Sequence, residues 1–482
     1  MFERVRGPSG CEKMKNEEMK MNEKELIVET PIGPISLNLG QFAAIQEQIE
    51  QERRAKLKRP STLFEELRKD VVGNDFITTS KYWSGNLGQL VKVHTDAYFE
   101  NEWELLSEVN IDEDRRIHIP CHYLTFPFPD GERSRFLAVG IRIYKHKNTS
   151  EKCMLSYGVD SDGDHRLTLW HKRKKKIESG TLPSKKHKTL LDDLVENFYR
   201  HGPLKNRFFD LHYNFIETED KSHELLCLDD DVRELLHENI IMFQDVMPML
   251  KERGLPNSRG VILAGPPGTG KTLITKWLVN QSNITRILIS AEMLTGRHNV
   301  KSCYEIARKL SPTLLIIEDI DTTGALNRRI SDHPLLGEFL QAMDGVVPND
   351  GVITVATTNH SESIDPAIAD RPGRFDRIIE VGPPSLKQRV HILRRLLGKL
   401  EADSEVSEDT IATIAKGTEG LTGAWLREVV QSAMIRAISH GRERLSSTDL
   451  SKAMKDVLTR QGMAYRRPAY LEMQNESSGI FG

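Results

Sequence analysis

The sequence predicts an α/β domain built on a parallel sheet, followed by a helical lid and preceded by an α+β domain. Three observations support this fold class. Short, continuous runs rich in Ile, Val and Leu alternate with helix-like segments between residues 261 and 357, which is typical of strands buried on both faces. Beyond Pro383-Pro384 only helical patterns follow. Before residue 216, strand patterns are separated by polar turns, which favours antiparallel pairing.

The elements follow from these patterns in chain order. Antiparallel strands are predicted at 136–144, 154–159 and 167–170, and parallel strands at 261–264, 286–290, 313–317 and 352–357. Helices are predicted at 386–400, 424–439 and 447–458. We therefore expect a flexible segment at 1–25, an α+β domain at 26–215, an α/β domain at 216–384, a helical lid at 385–462 and a flexible tail at 463–482.

Composition excludes several classes of protein. The 482 residues carry a net charge of −3, so no overall field favours nucleic acid or a membrane surface. Five cysteines are scattered without zinc spacing, which is typical of reduced thiols. No run of apolar residues is long enough to span a membrane, and the charged first residues do not resemble a signal peptide. We expect a cytoplasmic protein without a membrane span.

The most specific motif lies directly after the first parallel strand. It is the glycine-rich run Gly265-Pro266-Pro267-Gly268-Thr269-Gly270-Lys271-Thr272, a Walker A sequence that a helix-like segment follows. Glycines let successive backbone N–H groups cradle phosphate oxygens. Lys271 would reach the β- and γ-phosphates, and the Thr272 hydroxyl would bind Mg²⁺. A turn that merely joins a strand to a helix does not require this set, so we expect a nucleoside triphosphate to bind here.

Two acids, Glu318 and Asp319, follow the apolar strand at 314–317, as in a Walker B sequence. Ligands of open α/β sheets bind at the carboxyl edge, where these carboxylates would lie. Glu318 would hold Mg²⁺ together with Thr272, and Asp319 would orient the attacking water. A strand that simply ends in exposed acids is the structural alternative, and the glycine-rich run upstream disfavours it.

Polar and cationic residues follow the last parallel strand. Asn359 lies where an amide could position water or sense the γ-phosphate, although an isolated Asn at a turn is common. Arg371 and Arg374 are permanently charged and suit the neutralisation of a phosphoryl group. Surface ion pairs are the structural alternative for both arginines.

Residues from about 225 to 460 resemble the conventional AAA ATPases. The matching elements are the glycine-rich run, the strand with its two acids, Thr357-Thr358-Asn359, the sequence RPGRFDR at 371–377, and Gly423-Ala424 at the start of a lid helix. The resemblance implies ATP as the nucleotide and a homo-oligomeric, hexameric ring. It also implies that Arg371 and Arg374 are arginine fingers that complete the neighbouring subunit's site. Gly423 and Ala424 would let the lid approach the nucleotide closely.

This chain departs from the family pattern in two ways. Its acids stand in the order Glu-Asp instead of Asp-Glu. The same order occurs in the AAA subgroup that includes the mitochondrial Rieske-protein translocase, and this chain also resembles that subgroup at residues 252–256 and 357–360. Unfoldases of the family carry an aromatic residue in a loop that grips polypeptide in the pore. The equivalent stretch here, at 291–296, has none.

These observations predict an ATP hydrolase, a chaperone-like ring that couples hydrolysis to the remodelling of a protein partner selected by residues 26–215. A nucleotide-gated switch or scaffold with slow hydrolysis is the first alternative, because the acids are inverted and the pore aromatic is missing. A nucleic-acid motor is a second, which only the basic runs at 171–176 and 185–188 favour. No HExxH sequence is present, so a metalloprotease activity is not expected.

Overall fold

A computed structural model of the protein describes residues 25–30, 33–38, 62–173, 189–217, 226–290, 293, 299–320, 342–343, 348–360, 375–398 and 406–465. These residues divide into two compact units. The first contains the described residues up to Asn74 together with Ile111–Ile119. The second contains Asp75–Asn110 and the described residues from Pro120 onward. Among the helices described, none combines the length and apolarity needed to cross a membrane.

The elements of the N-terminal half are mainly strands, with three helices among the described residues. They are β1 Glu25–Thr30, β2 Gly33–Asn38, α1 Leu63–Val72, β3 Phe76–Trp83, α2 Gly85–Glu102, β4 Trp103–Asp112, β5 Ile117–Ile119, β6 His122–Pro127, β7 Arg133–His146, β8 Lys152–Val159, β9 His165–Lys172, α3 Leu190–His201 and β10 Phe208–Asp210.

In the first unit, the N-terminus of α1 is closely capped. The Thr62 hydroxyl accepts from the Glu65 N–H, and the Glu65 carboxylate accepts from the Thr62 N–H, which forms a capping box. The Glu113 carboxylate accepts from the backbone N–H groups of Leu63 (3.1 Å) and Phe64 (2.7 Å). Two acidic side chains therefore satisfy the N–H groups that the first helical turn leaves unpaired, and they complement the helix dipole. In the same unit, β1 pairs with β2 in antiparallel register.

In the second unit, an antiparallel sheet has the strand order β3-β9-β8-β7-β4, and β6 pairs with β7. The three predicted antiparallel strands lie within β7, β8 and β9, which form the expected meander. The α+β character of this region is therefore confirmed.

Helix α2 packs against this sheet with almost no spare space. Gly88 lies so close to β9 that an added Cβ would be 2.5 Å from the Cβ of His165. One turn later, the fully buried Lys92 donates to the carbonyls of Ala138 (2.8 Å) and Gly158 (2.7 Å) on β7 and β8. The Lys92 side chain thus satisfies two carbonyls near the middle of β7, where the pairing with β6 ends at Val139 and the pairing with β8 begins at Gly140.

The C-terminal half begins with a helical run and continues into alternating strands and helices. Its elements are α4 Asp230–Leu236, a π-helical turn His237–Ile241, α5 Met242–Glu252, β11 Arg259–Ala264, α6 Lys271–Gln281, β12 Thr285–Ser290, α7 Asn299–Lys309, β13 Thr313–Glu318, β14 Val352–Thr358, β15 Arg377–Glu380, α8 Leu386–Gly398, α9 Glu408–Gly417, α10 Gly423–Ser439 and α11 Ser447–Tyr465.

The strands of this half, together with β10 of the N-terminal half, form the predicted parallel sheet. Their order is β10-β12-β13-β14-β11-β15. Alternate residues of β13 face opposite sides of the sheet. Leu314 and Ile316 pack in the cluster that contains Ile274 and Leu278 of α6. Leu315 and Ile317 pack in the cluster that contains Tyr304 of α7. Both faces are therefore buried, which is why these strands have continuous apolar sequences.

Strand β10 belongs to the parallel sheet and packs in an apolar cluster that it shares with the antiparallel sheet. It pairs in parallel with β12, although its residues fall within the segment predicted as the N-terminal domain. One hydrophobic cluster contains Phe99 and Phe136 of the antiparallel region together with Phe209 of β10 and Ile287 of β12. Just before β10, Lys205 donates to the carbonyls of Leu310 and Ser311, at the end of α7 (2.8 and 2.6 Å). The predicted boundary at 215/216 remains a prediction.

Helices α8 to α11 form the predicted lid around a separate core. The cap of α11 is Ser446, whose hydroxyl accepts from the Asp449 N–H while the Asp449 carboxylate accepts from the Ser446 N–H. Hydrogen bonds from Arg442 to this carboxylate hold the pKa of Asp449 well below its usual value. Helix α11 continues to Tyr465, three residues past the predicted end of the lid.

We expect Gly88→Ala to destabilise the second unit, because the new methyl group must push α2 away from His165. Overpacking of this kind typically costs about 1–3 kcal/mol of unfolding free energy. The measurement is the urea midpoint followed by circular dichroism. Gly398→Ala is the control, since nothing lies within 4 Å of the Cβ position at that helical glycine. Equal midpoints for the two variants would contradict this account of the α2 packing.

Candidate nucleotide-binding site

Three segments that carry predicted site residues meet at one edge of the parallel sheet. Strand β14 lies between β11 and β13, and all three run in the same direction. Ala264 pairs with Thr358, and Ile317 pairs with Ala356, so the three strands end at nearly the same level. The segments that follow them therefore emerge side by side: the glycine-rich loop, the two acids and Asn359.

The loop requires glycine for two separate reasons. Gly270 precedes α6 with φ 105°, in the left-handed region that other residues rarely adopt. Gly268, with φ 81°, lies against the start of α10, where an added Cβ would be 2.7 Å from the Ala424 Cβ. The Ala424 N–H donates to the Gly268 carbonyl at 3.2 Å. Gly423 and Ala424 therefore lie at the loop, and their contact with a nucleotide remains a prediction.

Lys271 is the first residue of α6 and is only 6% exposed. Its ammonium group donates to the carbonyls of Gly265 (2.7 Å) and Pro266 (3.0 Å) and to Oδ1 of Asn359 (2.8 Å). The Asn359 side-chain amide in turn donates to Oδ1 of Asp319 at 3.4 Å. A lysine, an amide and an acid from three segments thus form one hydrogen-bonded series.

The two acids have different surroundings. Glu318 is half-buried, and its Oε1 accepts from the Thr275 hydroxyl at 3.0 Å. It lines a cavity of about 350 Å³ together with Thr272 and Thr275. Asp319 instead lines the larger cavity beside the glycine-rich loop. Thr275 lies one helical turn beyond Thr272, and sequence reasoning did not identify it.

The larger cavity has a volume of about 420 Å³. One group of lining residues is polar or belongs to the loop: residues 267–272 with Asp319 and Asn359. A second group is mainly apolar, and comprises Leu226, Cys227, Leu228, Val232, Ile392 and Leu396. The lid contributes Gly423, Ala424 and Arg427. A cavity with polar groups in one part and aliphatic groups in another suits the phosphates and base of a nucleotide.

The apolar part of this cavity was not predicted from the sequence. Gln388, Ile392 and Leu396 are spaced four residues apart on α8 and share one face of that helix, which is the only sequence signal they give. The Gln388 amide donates to the Cys227 carbonyl at 3.2 Å, so it links the lid to the segment before α4. Burial raises the pKa of the Cys227 thiol, which keeps it protonated and a poor nucleophile.

The residues present fit a Mg²⁺–nucleotide complex. Thr272 is exposed, and it lines both cavities. Glu318 and Asp319 add carboxylates nearby, and Mg²⁺ prefers such oxygen ligands. The N-terminus of α6 adds its positive dipole end next to Gly268 and Gly270.

Some predicted residues lie outside the part of the chain that the structure describes. Arg371 and Arg374 are among them, as is the pore-loop stretch at 291–296 apart from Met293. Their predicted roles therefore remain predictions.

Comparison with known proteins supports the nucleotide-binding assignment. Residues 261–383 match the family model of the ATPase family associated with various cellular activities (AAA). A proteasome-activating nucleotidase of Sulfurisphaera tokodaii is 35% identical over 228 residues, which cover 45% of this chain and 57% of the relative. The ATP-dependent zinc metalloprotease FtsH 2 of Thermoanaerobacter sp. is 30% identical over 295 residues, 56% of each chain.

A third relative, the proteasome-activating nucleotidase of Saccharolobus solfataricus, is 32% identical over 263 residues, which cover 51% of this chain and 66% of the relative. The chain therefore spans between about half and two thirds of the length of these relatives. The residues that match the family model include the glycine-rich loop, the paired acids and Asn359. Residues 261–383 of this chain therefore form a domain of the AAA family of ATPases.

Proposed function

We propose that the protein binds and hydrolyses ATP with Mg²⁺ in a homo-oligomeric ring, and that it uses the hydrolysis to remodel a protein partner. The observation that carries this proposal is the hydrogen-bonded series from Lys271 through Asn359 to Asp319 at the larger cavity. It joins a phosphate-binding cation to an acid suited to orient water. A site that only held a nucleotide would need the cation but not the acid.

Each side chain has a distinct role in the proposed reaction. Lys271 and the loop N–H groups hold the phosphates, and Asn359 senses the γ-phosphate. Thr272 and Glu318 would hold Mg²⁺, which would neutralise negative charge on the phosphates. Asp319 lines the cavity and orients the attacking water. The Thr275 hydroxyl fixes the carboxylate of Glu318 from the side of α6.

Arg371 and Arg374 complete the proposed site from a neighbouring subunit. In the part of the chain that the structure describes, the cations that line the larger cavity are Lys271 and Arg427. Charge that develops on a transferred phosphoryl group requires further cations, and arginines supplied in trans accelerate GTP hydrolysis by about 10³ to 10⁵. We propose a closed ring, hexameric by analogy with the family, as the arrangement that supplies them.

A protein is the proposed partner. Two of the relatives are named for proteasome activation and one for proteolysis, which supports a protein substrate. The antiparallel region is the proposed partner-binding part, because it contains no nucleotide-site residue.

The sequence lacks HExxH, so we propose no protease activity. Most of the basic runs that favoured nucleic acid lie outside the described residues, and Arg173 pairs with Asp75, so no nucleic-acid motor is proposed. A cytoplasmic location remains a prediction.

A nucleotide-gated switch is the second candidate function. The observation that favours it is the position of Glu318, whose carboxylate accepts from Thr275 and lines the smaller cavity. Glu318 does not line the larger cavity, and a site that binds the nucleotide without this acid on the metal would hydrolyse it slowly. Assembled rings that bind ATP but turn it over at less than about one per minute would favour the switch over the motor, since typical enzymes reach 1–10³ per second.

Lys271→Ala should weaken ATP binding about 100-fold or more, because hydrogen bonds to charged groups contribute about 1.5–3 kcal/mol each. The measurement is calorimetric titration with Mg-ATP. The matched control is Lys251→Ala, which removes an exposed lysine of α5 that lines neither cavity. Wild-type affinity in the Lys271 variant would refute the assignment of the loop.

Mixing two inactive variants should test the arginine finger. Lys271→Ala and Arg374→Ala subunits should each show almost no turnover alone. In an equal mixture, about a quarter of the sites in a head-to-tail ring combine an intact lysine with a neighbour's intact arginine. We therefore expect ATPase activity to recover on mixing. No recovery, with rings still formed, would place the arginine in its own subunit's site. Arg200→Ala, which changes an exposed arginine of α3, is the control.

A further inference from the structure

The backbone of Asp319 adopts a conformation that few non-glycine residues occupy. Its φ is 54°, in the left-handed region, and it follows the last residue of β13 directly. Aspartate enters this region more readily than most side chains, and such residues persist where surrounding contacts determine the conformation. The contacts around Asp319 therefore decide what holds it in this conformation.

The unusual conformation decides which way the acid faces. Leu314 and Ile316 of β13 lie on the α6 side of the sheet, and Glu318 continues this alternation. A further extended residue would lie on the opposite side, with Leu315 and Ile317. The left-handed turn instead brings Asp319 to the cavity that also contains Lys271 and Thr272. Both acids therefore lie near the start of α6.

Thr357 on the neighbouring strand makes the contacts that accompany this turn. Regular pairing between β13 and β14 ends at Ile317 and Ala356. Beyond it, the Thr357 hydroxyl accepts from the Asp319 N–H at 2.9 Å, and the Thr357 carbonyl accepts from the Ile320 N–H at 3.0 Å. Thr357 thus accepts from the N–H groups of both Asp319 and Ile320, which the regular ladder no longer pairs. Its side chain is 2% exposed, so water does not compete for these contacts.

We propose that Thr357 is a positioning residue for hydrolysis, whose hydroxyl holds Asp319 in the left-handed conformation that directs its carboxylate to the nucleotide. The inference rests on the proposed ATPase function. Thr357 does not line the larger cavity, so it acts through Asp319 and not on the nucleotide itself. Its loss should therefore lower the rate of the chemical step and leave nucleotide affinity unchanged.

The test compares three single variants of the full-length chain. Thr357→Val keeps the shape but removes the acceptor, and kcat should fall about tenfold or more, because a misplaced catalytic group can cost about 10²-fold. The dissociation constant for Mg-ATP should stay within about twofold. Thr357→Ser keeps the acceptor and should restore most of kcat. Thr354→Val is the matched control: Thr354 lies on the same strand, is 2% exposed, and bonds the Tyr304 hydroxyl instead.

A double variant separates positioning from simple destabilisation. Asp319→Asn alone should abolish most turnover, and adding Thr357→Val to it should lower kcat no further if the hydroxyl acts only through Asp319. Unchanged kcat in Thr357→Val, or an equal loss in Thr354→Val, would overturn this inference while the ATPase function stands. Absence of turnover in assembled wild-type rings would overturn the proposed function, and the inference with it.

Discussion

The parallel register of β11, β13 and β14 is the constraint on which the site depends. Because β14 lies between the other two strands, the loop, the acids and Asn359 emerge within hydrogen-bonding distance of one another. A slip of one residue in this register would move each group by about 3.3 Å and turn the strand's side chains to the other face. The buried apolar side chains on both faces prevent such a slip, so the hydrophobic core also fixes the chemistry.

Sequence reasoning identified the parts of this arrangement that are encoded locally. The strands of the parallel sheet have continuous apolar sequences because both of their faces are buried, and the loop is one contiguous motif. Strand β10 gave no such signal, because three residues are too few for a pattern. No helix was predicted at α2, which buries Lys92, His94 and Thr95 and so lacks a clear apolar stripe. The residues Cys227 and Gln388 meet only in the folded chain, 161 positions apart.

Two local features accompany the inverted order of the acids. Glutamate in the first position is long enough to reach the Thr275 hydroxyl on α6. Aspartate in the second position is shorter, and the left-handed turn moves its backbone toward the larger cavity. A helix side chain thus contacts the longer acid, and a left-handed backbone carries the shorter one. Neither feature can be read from the two acids alone, because both depend on threonines from other elements.

The hydrophobic cluster shared by the two sheets of the second unit has a mechanical consequence. Phe209 of β10 packs in the same cluster as Phe136 of the antiparallel sheet and Ile287 of the parallel sheet, and Lys205 is bonded to the end of α7. Domains joined by small polar interfaces move independently, whereas these two sheets share one packed apolar core. A rotation of the parallel sheet would therefore carry the antiparallel sheet with it.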